Sequence, residues 1–207
     1  MISTISEIQD IFHIKAKNED DPIFKRPYLL LSPGYSKTKI EKIKEILIDF
    51  PLSYLQILEC YKINGVIISN FELSPYSFDD EDAIDGILKS YNDPFFPKEF
   101  MEKHKIYQIG SYNTNLICIA AGTYQFKEGE ILFIEEGHDI YHPKDSQIHP
   151  IAKDFEQFII IAGNMDQIQR EINEDESNYE EKKDDFIERL RILNVDEMYQ
   201  KFWFSFF

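Results

Sequence analysis

The sequence predicts an α+β fold: N-terminal helices packed on one mainly antiparallel sheet, with a closing helix and an extra C-terminal helical segment. Three observations carry this expectation. Residues 50–76, FPLSYLQILECYKINGVIISNFELSPY, pass from a helix-patterned stretch into β-rich sequence. Three apolar blocks at 106–109, 116–120 and 131–134 are separated by Gly-bearing turns and read as antiparallel strands. After Pro150, apolar residues return at helical spacing as Ile151, Phe155, Phe158 and Ala162, reinforced by Ile159.

Taken in order, residues 4–14 pattern as a helix burying Ile5, Ile8 and Phe12, with Ile11 beside them. Residues 15–34 hold Pro22, Pro27 and Pro33 and read as a loop with a short strand at 28–31. A second helix is expected over 38–49, where Ile40, Ile43, Ile46, Leu47 and Phe50 keep helical spacing. Pro51 forces a bend, because the residue before a proline is steered out of the helical region. It also suits the first position of a new helix, where its missing N–H costs nothing. Leu52, Leu55, Leu58 and Tyr61, widened by Tyr54 and Ile57, form the buried face of that helix. Asn64 and Gly65 supply a left-handed stop, and Val66, Ile67 and Ile68 then favour a strand.

The stretch 79–85 holds five carboxylates in seven positions and runs into Ile84, Ile87, Leu88 and Tyr91. Such a run is the acidic first turn of a helix, favoured by the helix dipole, and also a surface for a basic partner. Pro94 and Pro97 close the segment. Gly110-Ser111 and 127–129 read as turns, and the unbroken apolar run 116–121 predicts a central strand covered on both faces. Pro150 is expected to start the closing helix and Gly163 to end it, with Asn164 and Gln167 capping a further short helix through Ile172. Ser177 and Glu180 match the S-x-x-E capping box before a last helix that buries Phe186, Leu190 and Leu193. The chain ends FWFSFF, five aromatics among six residues, which either dock into their own domain or serve self-association.

Bulk properties bound the function. At 207 residues, one domain with additions fits better than two full domains. The 38 acidic against 22 basic residues give a net charge of −16, which repels phosphate backbones and anionic membranes and attracts a basic protein. Direct nucleic-acid binding is therefore not expected. MISTISEIQDIFHIKAK lacks the basic start and apolar core of a secretory signal, and no apolar run approaches the ~20 residues of a membrane span. The expected location is the cytoplasm. Cys60 and Cys118 lie in apolar surroundings and are expected as small buried side chains, not as a disulfide or a nucleophile.

Chemistry-bearing residues are few. The carboxylates at 79–85 lack the alternating order and the terminal glutamate of a calcium loop. His138 and His142, with Glu135, Glu136 and Asp139 alongside, have ligand spacing only if they lie on a helix. Gly137 and Pro143 bracket them, and Asp139 stands where the H-E-x-x-H motif needs Glu. His149 precedes Pro150, His13 and His104 have no partner in sequence, and these histidines are expected as structural or surface residues. With no G-x-S-x-G, P-loop, G-x-G-x-x-G or Cys–His signature, no catalytic residue, cofactor or metal is expected.

The proline-started helix with Pro51, Tyr54, Leu55 and Leu58, followed by Asn64 and Gly65, resembles the SUKH superfamily. This group includes bacterial toxin-immunity proteins and fungal regulators of cell-wall synthesis. The blocks 106–119 (IYQIGSYNTNLICI), 129–133 (GEILF) and 151–161 (IAKDFEQFIII) resemble its later strands and closing helix, in order. Two positions depart from the pattern: Val66, where a second glycine is frequent, and Asn115, where an aspartate is. The resemblance covers 38–162, leaving 1–37 as an N-terminal helix-and-loop extension and 163–207 as a C-terminal helical extension with an aromatic tail. It implies a cytoplasmic, non-catalytic immunity protein that binds and neutralises a basic toxin, such as a nuclease whose cleft holds phosphates. A regulatory protein-interaction scaffold is the alternative, and a hydrolase using His138 and His142 is the third reading. Charge assigns the partner contacts to Asp79, Asp80, Glu81, Asp82 and Asp85, and to Glu135, Glu136 and Asp139.

Overall fold

The computed structural model describes residues 1–18, 29–31, 33–47, 49–64, 67–73, 83–93, 97–135 and 144–207. In chain order they form α1 (Ile5–Asn18), β1 (Leu29–Leu31), α2 (Lys37–Ile46), α3 (Leu52–Cys60), β2 (Lys62–Asn64), β3 (Ile67–Ile68), β4 (Phe71–Glu72), α4 (Ala83–Asn92), α5 (Lys98–His104), β5 (Ile106–Tyr112), β6 (Asn115–Ala121), β7 (Glu128–Ile134), β8 (Ile148–Ala152), α6 (Phe155–Glu174), α7 (Tyr179–Ile192) and α8 (Glu197–Phe204). Strands β3 to β8 pair in sequence order as one six-stranded antiparallel sheet, and β1 pairs with β2 beside it. The fold is α+β. Ser69 and Asn70, at φ 50° and 66°, make the two-residue turn between β3 and β4, where both central residues need positive φ.

Alternation along the central strands feeds two cores. Ile117 and Ile119 of β6, with Ile131 and Phe133 of β7, face Tyr54, Leu55 and Leu58 of α3 and Phe155, Phe158 and Ile159 of α6. Cys118, Ala120, Leu132 and Ile134 point the other way and pack with Met101 of α5 and Ile106 of β5. Residues 117–120 are all buried, as an unbroken apolar run in a central strand requires.

The larger core gathers residues from both ends of the chain. Trp203 of α8 is fully buried, donates Nε1–H to the Ile151 carbonyl at 2.8 Å, and packs on Phe71 and Phe158. Phe206 packs on Phe71 and Tyr112, Phe202 on Phe133, and Phe207 on Phe186. The aromatic tail thus docks into its own domain, largely as the helix α8. At the other end, Thr4 and Glu7 form a reciprocal capping box that starts α1. Buried Asn164 accepts from the Ile2 N–H at 3.0 Å and donates to the Ile2 carbonyl at 2.8 Å.

Several sequence expectations give way. The helix after Pro51 ends at Cys60, and Tyr61 is already extended, because pairing with β1 claims residues 62–64. Asn64 therefore belongs to β2, not to a helix stop; Gly65 and Val66 lie outside the described residues. Pro51 is the N-cap, and Leu52 is 64% exposed because Tyr54, Leu55 and Leu58 set the buried stripe. Ile46, at the end of α2, is also exposed. Gly110 is not a turn but a bulge within β5, where a Cβ would sit 2.2 Å from the Glu72 carbonyl oxygen; the turn is made by Asn113, at φ 54°. Pro150 and Ile151 lie in β8, not in a helix. This strand is an edge, which tolerates a proline.

Gly163 does not end the closing helix. Helix α6 runs through it to Glu174, and the missing side chain lets α1 approach, since a Cβ there would lie 3.2 Å from Ile8 Cδ1. Ser177 caps nothing: its hydroxyl bonds Asp175, and Asn178 is the N-cap of α7. Helix α7 buries Phe186 and Leu190, with Leu193 half-buried just beyond it. Cys60 is exposed, whereas Cys118 is buried and burial pushes its thiol pKa up.

Candidate functional site

Of the eight carboxylates expected to meet a partner, Asp79, Asp80, Glu81, Asp82, Glu136 and Asp139 lie outside the described residues, as do His138 and His142. Asp85 sits in the first turn of α4, where a carboxylate complements the helix dipole, and its Oδ2 accepts from Lys39 Nζ of α2 at 2.8 Å. That bond clamps two helices together. Glu135 follows β7 and is exposed. Its backbone is held by Gln147, and one carboxylate oxygen lies 3.5 Å from His149 Nε2.

A different group of polar side chains converges around the end of α5. Pro97 caps α5, and Lys105, at φ 50°, turns the chain back from α5 into β5. This geometry leaves His104 buried at the helix end, its ring against Phe100. Its Nε2 donates to Asp145 Oδ1 at 3.0 Å, and its Nδ1 meets Gln125 Oε1 at 3.2 Å. Lys103 Nζ donates to both oxygens of Asp145, at 2.9 and 3.0 Å. These bonds, Lys103 first and His104 second, hold the Asp145 carboxyl below its ordinary pKa. Three segments meet here: the end of α5, the turn between β6 and β7, and the 3₁₀ turn Asp145–Gln147 before β8. Around them lies an open cleft of about 390 Å³ that includes Lys105, Thr123 and Tyr124.

The chemistry of this cluster is that of a clamp. Both ring nitrogens of His104 are engaged, the ring is only 3% exposed, and no hydroxyl or thiol bonds to it among the described residues. A general base needs a free nitrogen within reach of a substrate proton. Among the described residues, no group of three or more His, Cys, Asp or Glu side chains is placed to hold a metal ion. No described helix is long and apolar enough to cross a membrane.

Acidity is dense where α6 ends and α7 begins. Residues 171–188 carry nine acidic and two basic side chains. Glu171 is paired with Lys182, and Asp185 with Arg189, while Glu174, Glu180, Glu181 and Asp184 are exposed. Sequence reasoning left His104 without a partner because Asp145 stands 41 positions away, and no local spacing signals that pair. A comparison with protein-family models and with curated proteins finds no match for this chain.

Proposed function

We propose that this protein is a cytoplasmic binding protein without catalytic chemistry of its own, which captures and neutralises a basic toxin. The observation that carries the proposal is the net charge of −16, much of it on exposed carboxylates that the fold does not consume. A surface of this sign speeds encounter with a positively charged cleft and disfavours competing acidic partners. The resemblance of 38–162 to SUKH proteins supports the immunity reading. The clamped state of His104 fits a binding protein better than an enzyme. The proposed contacts remain Asp79, Asp80, Glu81, Asp82, Glu135, Glu136 and Asp139, with Asp85 contributing least because Lys39 already holds it.

The test is titration of the purified chain against the product of the gene adjacent to its own, with that product's toxic activity followed in parallel. One-to-one binding in the nanomolar range that abolishes the activity is the expected result. Changing the seven proposed contacts to Asn or Gln should weaken binding by at least about tenfold and flatten its salt dependence. Unchanged affinity and salt slope would remove the contact assignment. Absence of binding, with several weak partners recovered instead, would favour the regulatory scaffold.

A further inference from the structure

The open cleft at the end of α5 is lined by side chains that the fold has already oriented. Among them is His104, 3% exposed, whose two ring nitrogens hold Gln125 at 3.2 Å and Asp145 at 3.0 Å. A buried residue that fixes two lining groups is the support a binding site needs, because those groups then lose little freedom when a ligand arrives. The turn beside them is also held. Thr123 N–H donates to the Phe126 carbonyl at 2.8 Å, and the Thr123 hydroxyl oxygen accepts from the N–H groups of Gln125 and Phe126. In that turn Tyr124 stands 95% exposed, with no other ring against it among the described residues. Its ring forms one wall of the cleft.

Hydrogen-bonding capacity is left over on this lining. Gln125 turns Oε1 to His104, and its Nε2 amide has no partner among the described residues. Lys103 and Lys105 each bond a single carboxylate, Asp145 and Asp49, and keep ammonium donors over. On the lining itself two lysines balance two carboxylates, Lys103 and Lys105 against Glu102 and Asp145, while exposed Glu99 and the net charge of −16 make the surroundings acidic. Those surroundings repel an anion, and the two lysines repel a cation. A neutral, hydroxyl-rich ligand meets neither obstacle. It can donate to Asp145 and accept from Gln125 and Lys103 without breaking an ion pair, and an apolar C–H face can lie on the negative face of an aromatic ring. A sugar ring has this make-up, and about 390 Å³ is room enough for a small molecule. We propose that the cleft is a saccharide-binding site, in which Tyr124 stacks on one face of a pyranose ring while Gln125, Asp145 and Lys103 bond its hydroxyls.

The inference goes beyond the toxin-binding reading and is tested with sugars on the chain alone, so either can fail without the other. The full chain is titrated with glucose, galactose, mannose, N-acetylglucosamine, cellobiose and maltose while its backbone amide resonances are followed by NMR. At least one sugar should saturate in the millimolar range or tighter, moving the resonances of residues 103–105, 122–125 and 145 and few others. Tyr124→Ala should weaken that binding by about tenfold or more and leave the unfolding midpoint unchanged, since the ring is exposed. Tyr124→Phe, which keeps the ring, should retain most of the affinity. A panel in which no sugar saturates would overturn the proposal. So would binding that survives Tyr124→Ala, or that moves resonances away from the cleft. Inorganic phosphate or spermidine acting on the same resonances more tightly than any sugar would overturn it as well, because the site would then select charge.

Discussion

The face of the sheet carrying Ile117, Ile119, Ile131 and Phe133 lies under helices drawn from both ends of the chain. The face carrying Cys118, Leu132 and Ile134 meets, among the described helices, the seven-residue α5. On the first face the closure is apolar, with Trp203, Phe158, Phe71 and Phe206 in mutual contact. On the second, the apolar patch is small, and α5 is held at its end by the polar bonds of His104 and Lys103 to Asp145. Burial scales with area and is indifferent to angle, whereas hydrogen bonds fix position and depend on protonation. One face supplies stability; the other fixes where the rim of the cleft stands.

Three changes test that contrast. Trp203→Ala removes the largest fully buried side chain and its bond to Ile151, and should cost about 3–5 kcal/mol in denaturant unfolding. A small loss there would mean that the aromatic cluster is not the main closure. His104→Ala should cost about 1–3 kcal/mol, because Gln125 and Asp145 lose a partner. Hydrogen exchange should show that loss confined to α5 and the turn before β8, and a loss spread over the whole sheet would erase the distinction. Asp145→Asn should give the smallest effect, and one that depends on pH. The folded carboxyl is held below its unfolded value, so its contribution is present above about pH 4 and fades as pH falls through the folded value. Parent and variant should therefore differ in unfolding midpoint near neutrality and converge in acid. A constant difference across that range would deny the carboxylate a role in the clamp.

Periodicity made much of the fold legible. Ile40, Ile43 and Leu47, the helix holding Ile84 and Ile87, and the central run 117–120 all sit where alternation or helical spacing puts them. Punctuation misled where glycine, proline and asparagine serve tertiary contacts. Gly163 makes room for α1, Gly110 for β4, Pro150 occupies an edge strand, and Asn164 holds the start of the chain instead of capping a helix. A local rule has no access to a neighbour 162 residues away. The cluster around His104 was illegible for the same reason. The carboxylates at 79–82, which lie outside the described residues, were read from local charge density alone, and that carries no signal of which elements surround them.

The grip of Asn164 on Ile2 has a consequence for the order in which the protein is made. The strands pair with their neighbours in sequence, so the sheet can zip up while the chain emerges from the ribosome. Its broad apolar face, however, waits for α6 and α8, and the bonds that hold Ile2 form only once residue 164 has been synthesised. Until those last helices arrive, the nascent chain displays Phe71, Ile117, Phe133 and Ile151 to water, the kind of surface that invites chaperones or neighbouring chains.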